Sequence, residues 1–385
     1  MVKKLKVVAA PQTFKGSISA LNAAEAISIG VKNIYPSAEV LLCPVADGGD
    51  GTLETLVEVS NGNIVECVVE GPTGTPVEAQ WGAMGDEQTA VIEMARTSGL
   101  ALLDLSERDP LNASTYGLGE AILSALDQNY RKFIIGIGGS ATNDGGAGMA
   151  QAVGISLKDE FGKEIPRGGA ALSKLHSIDT VGIDPRIKQS EFMVACDVNN
   201  PLTGPEGASA VYGPQKGATP EMITQLDEAL KNFAETILRD LGEEVEHISG
   251  AGAAGGLGAG MMAFMGGTLK PGVDIVLDTV GLADKLKGTD IVITGEGGID
   301  FQTVYDKAPI GVAKLAKKLG IPTIALAGLV GKDFQVVHKD GIESVFSIVN
   351  GPMTLENASS NAHRLIVEST EQVMRLLRVG TTLNI

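Results

Sequence analysis

Hydrophobic and polar positions follow two rhythms along this chain. Short apolar runs rich in β-branched residues recur, and between them lie longer segments whose apolar residues return every third or fourth position. The runs Leu5 to Ala10, Val40 to Val45, Phe133 to Ile137, Phe192 to Cys196, Asp290 to Thr294, Pro322 to Ala327 and Ile342 to Ile348 predict buried parallel strands. Helices are predicted over Ala20 to Tyr35, Thr52 to Ser60, Tyr116 to Asn129, Ala308 to Leu319 and Thr354 to Val379. Ser17 and Ser19 are candidate caps of the first helix. Another helix opens at Thr219 and Pro220 and reaches about Leu241, with Ile223, Leu226, Leu230, Phe233, Ile237 and Leu241 on one face. Strands separated by helices of this length predict right-handed crossovers and a largely parallel sheet.

From Gly62 to Ala95 the rhythm changes. Ile64 to Val69, Val77 to Trp81 and Thr89 to Met94 read as short strands separated by GPTGTP and GAMGDEQ, a β-rich insertion at about 62–95. The strand–helix alternation occupies both ends of the chain, and 385 residues exceed what one hydrophobic core usually serves. The expectation is two α/β domains with largely parallel sheets. One is discontinuous, from residues 1–65 and 285–385; the other covers 66–284 and carries the insertion. The active cleft is expected at their junction.

One stretch organises the chemistry. RKFIIGIGGSATNDGGAGMAQAVG, Arg131 to Gly154, reads as a strand, a glycine-rich turn and a helix that starts near Gly145. Gly138, Gly139, Gly145 and Gly146 let backbone approach a ligand closely, and a helix N-terminus suits a phosphate. Ser140, Thr142, Asn143 and Asp144 can hydrogen-bond a phosphate or hold a hydrated metal. An ordinary strand-to-helix connection fits the same letters. Elsewhere Lys15 lies at the carboxyl end of a strand, where open α/β sheets bind ligands. Asp47 and Asp50 flank two glycines before a helix, as a magnesium site, a general base or simple helix caps would. The irregular run CDVNNPLTGPEGASAVYGPQKGA is too long for an idle connection. In it Asp197, Asn199 and Asn200 suit a hydroxyl or metal-bound water, and Lys216 an anion. The glycine-rich segment 249–267 enters an apolar helix and serves either close packing or ligand contact.

Composition narrows the classes. Fifty glycines without a Gly-X-Y period mean tight turns and backbone-lined sites. A net charge of −17 argues against nucleic acid or an anionic membrane as partner. Three cysteines without close spacing fit a reducing cytoplasm, and four scattered histidines argue against zinc. The first apolar run ends at Pro11, too short for a signal peptide, and no run spans a membrane. A cytoplasmic protein acting on small molecules is expected, with a homo-oligomer left open. Gly136-x-Gly138-x-x-Ala141, with Asp159 about 20 residues on, and Gly250-x-Gly252-x-x-Gly255 match dinucleotide spacing, so an NAD-dependent oxidoreductase stays as an alternative. A P-loop lysine motif, protein-kinase landmarks and a nucleophile elbow do not occur.

APQTFKGSISA, PVADGGDGTLE, IGIGGSATNDGGAGMAQA, ACDVNNPLTGPEGASAVYGPQKGA, GAGAAGGLGAGMMAF and ITGEGGIDFQT…KAPIGVAKLAKK together resemble the class I bacterial glycerate kinases, in the family's order across nearly the whole chain. The resemblance implies a flavodoxin-like α/β domain beside a second α/β domain with a β insertion. It also implies ATP- and magnesium-dependent phosphorylation of D-glycerate, usually to 2-phosphoglycerate. On that footing the turn at 138–146 is expected on the ATP phosphates, with magnesium held by Asp47, Asp144 and Asp300. Asp197 is expected to take the glycerate hydroxyl proton, and Lys15 or Lys216 to neutralise phosphate or carboxylate. Asn199, Asn200, Glu296 and Lys307 are expected to bind substrate. Gly298, Asp306 and Gln12 depart from the family's common Arg, Gly and Asp. Those departures also suit a catalytically weakened relative that binds a sugar acid or nucleotide.

Overall fold

The computed structural model describes residues 4–49, 51–304 and 307–382. Its strands are β1 (Lys6–Pro11), β2 (Glu39–Leu42), β3 (Asn63–Glu70), β4 (Pro76–Ala83), β5 (Thr89–Glu93), β6 (Lys132–Gly136), β7 (Ser156–Lys158), β8 (Ser177–Asp179), β9 (Glu191–Ala195), β10 (Thr268–Lys270), β11 (Ile291–Ile299), β12 (Thr323–Val330) and β13 (Ile342–Ser347). The chain divides into two compact units. One comprises Met1–Asp47, Glu54–Ser60 and Val273–Ile385, the other Gly48–Leu53 and Asn61–Gly272.

In the first unit the strand order β2-β1-β11-β12-β13 is parallel throughout. Numbered within the unit this is 2-1-3-4-5, the flavodoxin-like doubly wound order, whose ligand crevice lies where the order reverses, between β1 and β11. Val7, Ala9, Ile293 and Leu326 are buried in a core that includes residues of the helices Ala20–Ile34 and Ala362–Thr382. Ala325, Ala327 and Ile299 are buried in a second core with Ile310 and Ala313 of the helix Ala308–Lys318. Gly30 permits a close contact between the helices Ala20–Ile34 and Ala362–Thr382, since a Cβ there would sit 2.6 Å from Cβ of Thr370. Ser19 caps the first helix by accepting from the Asn22 amide.

The second unit has a six-stranded sheet, β10-β9-β6-β5-β4-β3. Its first four strands are parallel, and the β3–β4 hairpin extends the sheet antiparallel. The insertion read from the sequence is therefore part of this sheet, continuing it at one edge. Phe133 and Phe192 stack at 4.7 Å as cross-strand partners, and Trp81 meets Tyr130 edge-on at 5.2 Å. β7 and β8 form a separate two-stranded antiparallel sheet that the sequence pattern did not disclose.

Three expected elements differ. The strand from Asp290 continues to Ile299, because Gly295 and Glu296 stay paired with β12; a Cβ on Gly295 would fall 2.2 Å from the Leu326 carbonyl oxygen. The last helix breaks at Asn361 into Leu355–Ser360 and Ala362–Thr382. In the helix Ala253–Met265, Ala254, Gly255 and Gly256 take left-handed conformations, and a Cβ on Gly255 would lie 2.0 Å from the Thr142 carbonyl oxygen. That glycine serves close packing against the central turn. Among the described residues no helix is long and apolar enough to cross a membrane.

Candidate functional site

β6 leads into Gly138 and Gly139, which are exposed, whereas every residue from Ser140 to Ala150 is buried. Asp144 organises the buried part. Its Oδ2 accepts from the Thr115 amide at 2.8 Å, Thr115 Oγ1 at 2.9 Å and the Gly148 amide at 3.2 Å. Its Oδ1 accepts from the Gly146 amide at 3.2 Å. The Gly145 amide donates to the Gly255 carbonyl, and the Met149 amide to Thr115 Oγ1. The amides at the start of the helix Ala147–Ala152 are thus already satisfied from within, by a carboxylate of the same chain. This differs from the expectation that they meet a phosphate. Burial pushes the Asp144 carboxyl up, against hydrogen bonds that pull it down. Gly145 is required as glycine, having φ 62° and only 2.6 Å between a built Cβ and the Phe233 ring.

Lys216 is 1% exposed and donates Nζ to the Thr142 carbonyl at 2.6 Å. Burial pulls its pKa down to about 7, with the Asp144 charge resisting. The expected anion contact is therefore replaced by an internal one: this lysine holds the turn from beneath. Asn143 Nδ2 donates to Ser209 Oγ at 3.0 Å, while Asn143 Oδ1 and Thr142 Oγ1 are buried without a hydrogen-bond partner. Of the expected phosphate-binding residues, only Gly138 and Gly139 are solvent-exposed; Ser140, Thr142, Asn143, Gly145 and Gly146 shape the layer beneath.

Asp197 follows β9, the parallel neighbour of β6 in which Ala195 pairs with Gly136. The exposed aspartate and the exposed glycines thus leave adjacent strands at the same sheet edge. Asp197 Oδ1 accepts from the Gly272 amide at 2.7 Å. Asn199 Oδ1 accepts from Ser249 Oγ at 3.0 Å. Asn200 donates to the Glu206 carbonyl at 2.7 Å and accepts from the Tyr212 hydroxyl at 2.6 Å, so its amide shapes the loop at both ends.

In the first unit, polar groups gather after β1 and β2 and along and after the carboxyl half of β11. Gln12 Nε2 donates to Asp47 Oδ2 at 2.9 Å, and Gln12 Oε1 is buried without a partner. Glu296, 7% exposed, accepts from Thr303 Oγ1 at 3.3 Å and pairs with Lys307 at 3.5 Å. Burial raises its carboxyl to about 7, Lys307 and Thr303 opposing and the charge of Asp47 adding to the rise. Lys15 is exposed in the loop after β1, and the Asp300 amide donates to Thr303 Oγ1 at 3.1 Å. Gly298 accepts a larger residue sterically, since a Cβ there meets Leu329 at an ordinary 3.9 Å. Asp50 and Asp306 lie outside the described residues.

Among the described residues no three His, Cys, Asp or Glu side chains gather as a metal site. Magnesium needs only one or two carboxylates when phosphate oxygens and water complete its shell. Asp47 and Asp300 have that hard-oxygen chemistry. Asp144 does not fit, because both its oxygens are committed to its own loop. Sequence reasoning missed Thr115 and Thr303. Ser114-Thr115 ahead of a helix is a cap signal, but its carboxylate partner is 29 residues away. Asp159, the ribose-binding acid of the dinucleotide reading, instead accepts from the Phe161 and Lys163 amides in a tight turn.

A model of the glycerate kinase family matches residues 7–378. The chain is 49% identical over 379 residues to a glycerate kinase of Bacillus subtilis (strain 168), covering 98% of this chain and 99% of that protein. It is 47% identical over 376 residues to the glycerate 2-kinase of Escherichia coli (strain K12), covering 98% and 99%. A crystal structure from Salmonella typhimurium LT2 with a glycerate kinase 2 designation superposes with a TM-score of 0.91 at 48% identity, covering 99% of this chain and 100% of that one. With its flavodoxin-like sheet order, its glycine turn and this full-length similarity, the chain belongs to the glycerate kinase family.

Proposed function

We propose that this protein transfers the γ-phosphoryl group of ATP to D-glycerate, with 2-phosphoglycerate as product, in the cytoplasm. The observation that carries this reading is the full-length similarity to proteins named glycerate kinase and glycerate 2-kinase. The two units are proposed as the domains of the enzyme, the discontinuous one flavodoxin-like.

In phosphoryl transfer the protein mainly positions the reactants and offsets charge. Asp197 is proposed to accept the proton of the attacking glycerate hydroxyl, being an exposed carboxylate already oriented by the Gly272 amide. The exposed Gly138–Gly139 backbone is proposed to face the ATP phosphates. The buried Asp144–Thr115 bonds and the Lys216 side chain hold that backbone from below. Lys15 is proposed to offset phosphate or carboxylate charge, with Asn199, Glu296 and Lys307 as further polar contacts of the substrates. A magnesium ion, when bound, would offset the charge of the phosphates, and Asp47 and Asp300 are the residues proposed to hold it. Purified protein incubated with Mg-ATP and D-glycerate should form ADP and phosphoglycerate, and NMR of the product should show phosphate on carbon 2. Binding of both substrates without ADP formation would reject the enzyme reading.

A further inference from the structure

We infer that a groove on the outer face of the β3–β4 hairpin receives the nucleoside end of ATP, with the purine lying on the guanidinium plane of Arg96. The inference rests on the kinase reading above and names where that nucleotide's uncharged half binds.

The hairpin register sets Glu66 opposite Gln80 and Val68 opposite Glu78, so these four side chains share one face. The alternate residues Val69, Ala79 and Trp81 are buried in the core. Arg96 joins the outer face through bonds that include Nε to Glu93 Oε2 at 2.8 Å and Nη1 to Gln80 Oε1 at 3.0 Å. Glu93 is itself held, its Oε1 accepting from the Leu53 amide at 3.1 Å. The guanidinium is therefore fixed in plane. Around it lies a cavity of about 820 Å³, lined also by Val68, Ala101 and Leu102.

One wall of this groove is shared with the glycine turn. The Leu100 amide donates to the Gly139 carbonyl and the Ala141 amide to the Ser98 carbonyl, both at 2.9 Å. Ala95 lines the groove and packs against Gly139. A single thickness of chain, residues 95–102, thus separates the groove from the exposed glycines.

The chemistry selects the ligand. The volume lies in the range of a drug-sized ligand, far larger than a three-carbon acid requires. Glu66, Glu78 and Glu93 repel anions from the groove, so the phosphates are directed away from it. Carboxylates accept hydrogen bonds from ribose hydroxyls, as acidic residues do in dinucleotide sites. An arginine plane pinned by hydrogen bonds in that plane leaves its face to stack on a base. Val68, 72% exposed, and Leu102 supply apolar edges.

Calorimetric titration tests the groove directly. The wild-type protein is titrated with ADP, adenosine, tripolyphosphate and D-glycerate, and the groove is then filled by Ala101→Trp or Val68→Trp. Both positions are exposed, so neither change disturbs the core. Each variant should weaken ADP and adenosine about tenfold or more, as loss of a stacked base would. Tripolyphosphate and D-glycerate should stay within about twofold, which also reports an intact fold. Unchanged ADP and adenosine affinity in both variants overturns the inference. So does a wild-type protein that does not bind adenosine, or loss of all four ligands together in both variants. ADP formation by the wild-type protein is scored separately: turnover with unaffected variants keeps the kinase reading and rejects the groove, and adenosine binding that the variants weaken, without turnover, does the reverse.

Discussion

Lys216 Nζ donates to the Thr142 carbonyl oxygen at 2.6 Å from a position with 1% exposure. A lysine so placed trades hydration for a structural bond, and its pKa falls to about 7 from 10.5. A depressed lysine contributes stability that is present above its unfolded value and lost as pH falls through the folded one. Unfolding temperature should therefore climb between pH 7 and 10.5 where this residue dominates. Lys216→Met removes the titration. Differential scanning calorimetry across that window should show a flatter profile for the variant.

Asp144 makes a contrasting prediction. A carboxylate that accepts from Thr115, Gly146 and Gly148 beside a buried lysine is structural, so its loss should be felt without any ligand. Asp144→Ala should cost several kcal/mol, about 1–3 for each buried donor left unsatisfied. Asp144→Asn should cost less, because its side-chain oxygen can take the place of Oδ2 and only the Gly146 amide would face its NH2 group. Chemical denaturation in EDTA measures this. A stability loss seen only with magnesium present would restore a metal-ligand role.

For Asp197, proposed above as the base, loss of activity and loss of stability should separate. Its Oδ1 accepts from the Gly272 amide, a bond that asparagine can keep through its own side-chain oxygen. Asp197→Asn should leave the unfolding temperature nearly unchanged and lower kcat at least ~100-fold, the lower end for general-base catalysis. A wild-type kcat in this variant would remove Asp197 from that role.

Glu296 should give a pH signature opposite to that of Lys216. Its carboxyl is raised from 4.5 to about 7, chiefly by burial. A raised acid contributes stability that is full below the unfolded value and lost as pH rises through the folded one. Glu296→Gln should therefore gain on the wild type between pH 4.5 and 7 and hold that advantage above it. Paired melting curves at pH 5 and pH 8 measure the difference.

Much of the architecture was legible because buried parallel strands announce themselves as short β-branched runs, as with Lys6–Pro11 and Lys132–Gly136. The helix Pro220–Leu241 was legible from Thr219 as cap, proline in the first turn and an apolar face running to Leu241. Burial at the site was not legible. Asp144 and Lys216 look like any ligand-binding pair in sequence, and only the fold shows them facing inward. Thr115 was invisible as a site residue because its partner lies in another element. The strand beyond Thr294 was lost to glycines that signal turns locally, whereas pairing with β12 keeps them extended.

The discontinuous sheet also governs the order in which the molecule can be finished. β1 lies between β2 and β11, so its inner edge has no partner until the chain beyond Ile291 exists. On the ribosome the segment 61–272 can complete its own sheet while the amino-terminal hairpin-less pair still shows a row of unsatisfied amides. Deleting the last three strands would thus strand β1 permanently, and the product should aggregate instead of surviving as a shortened protein.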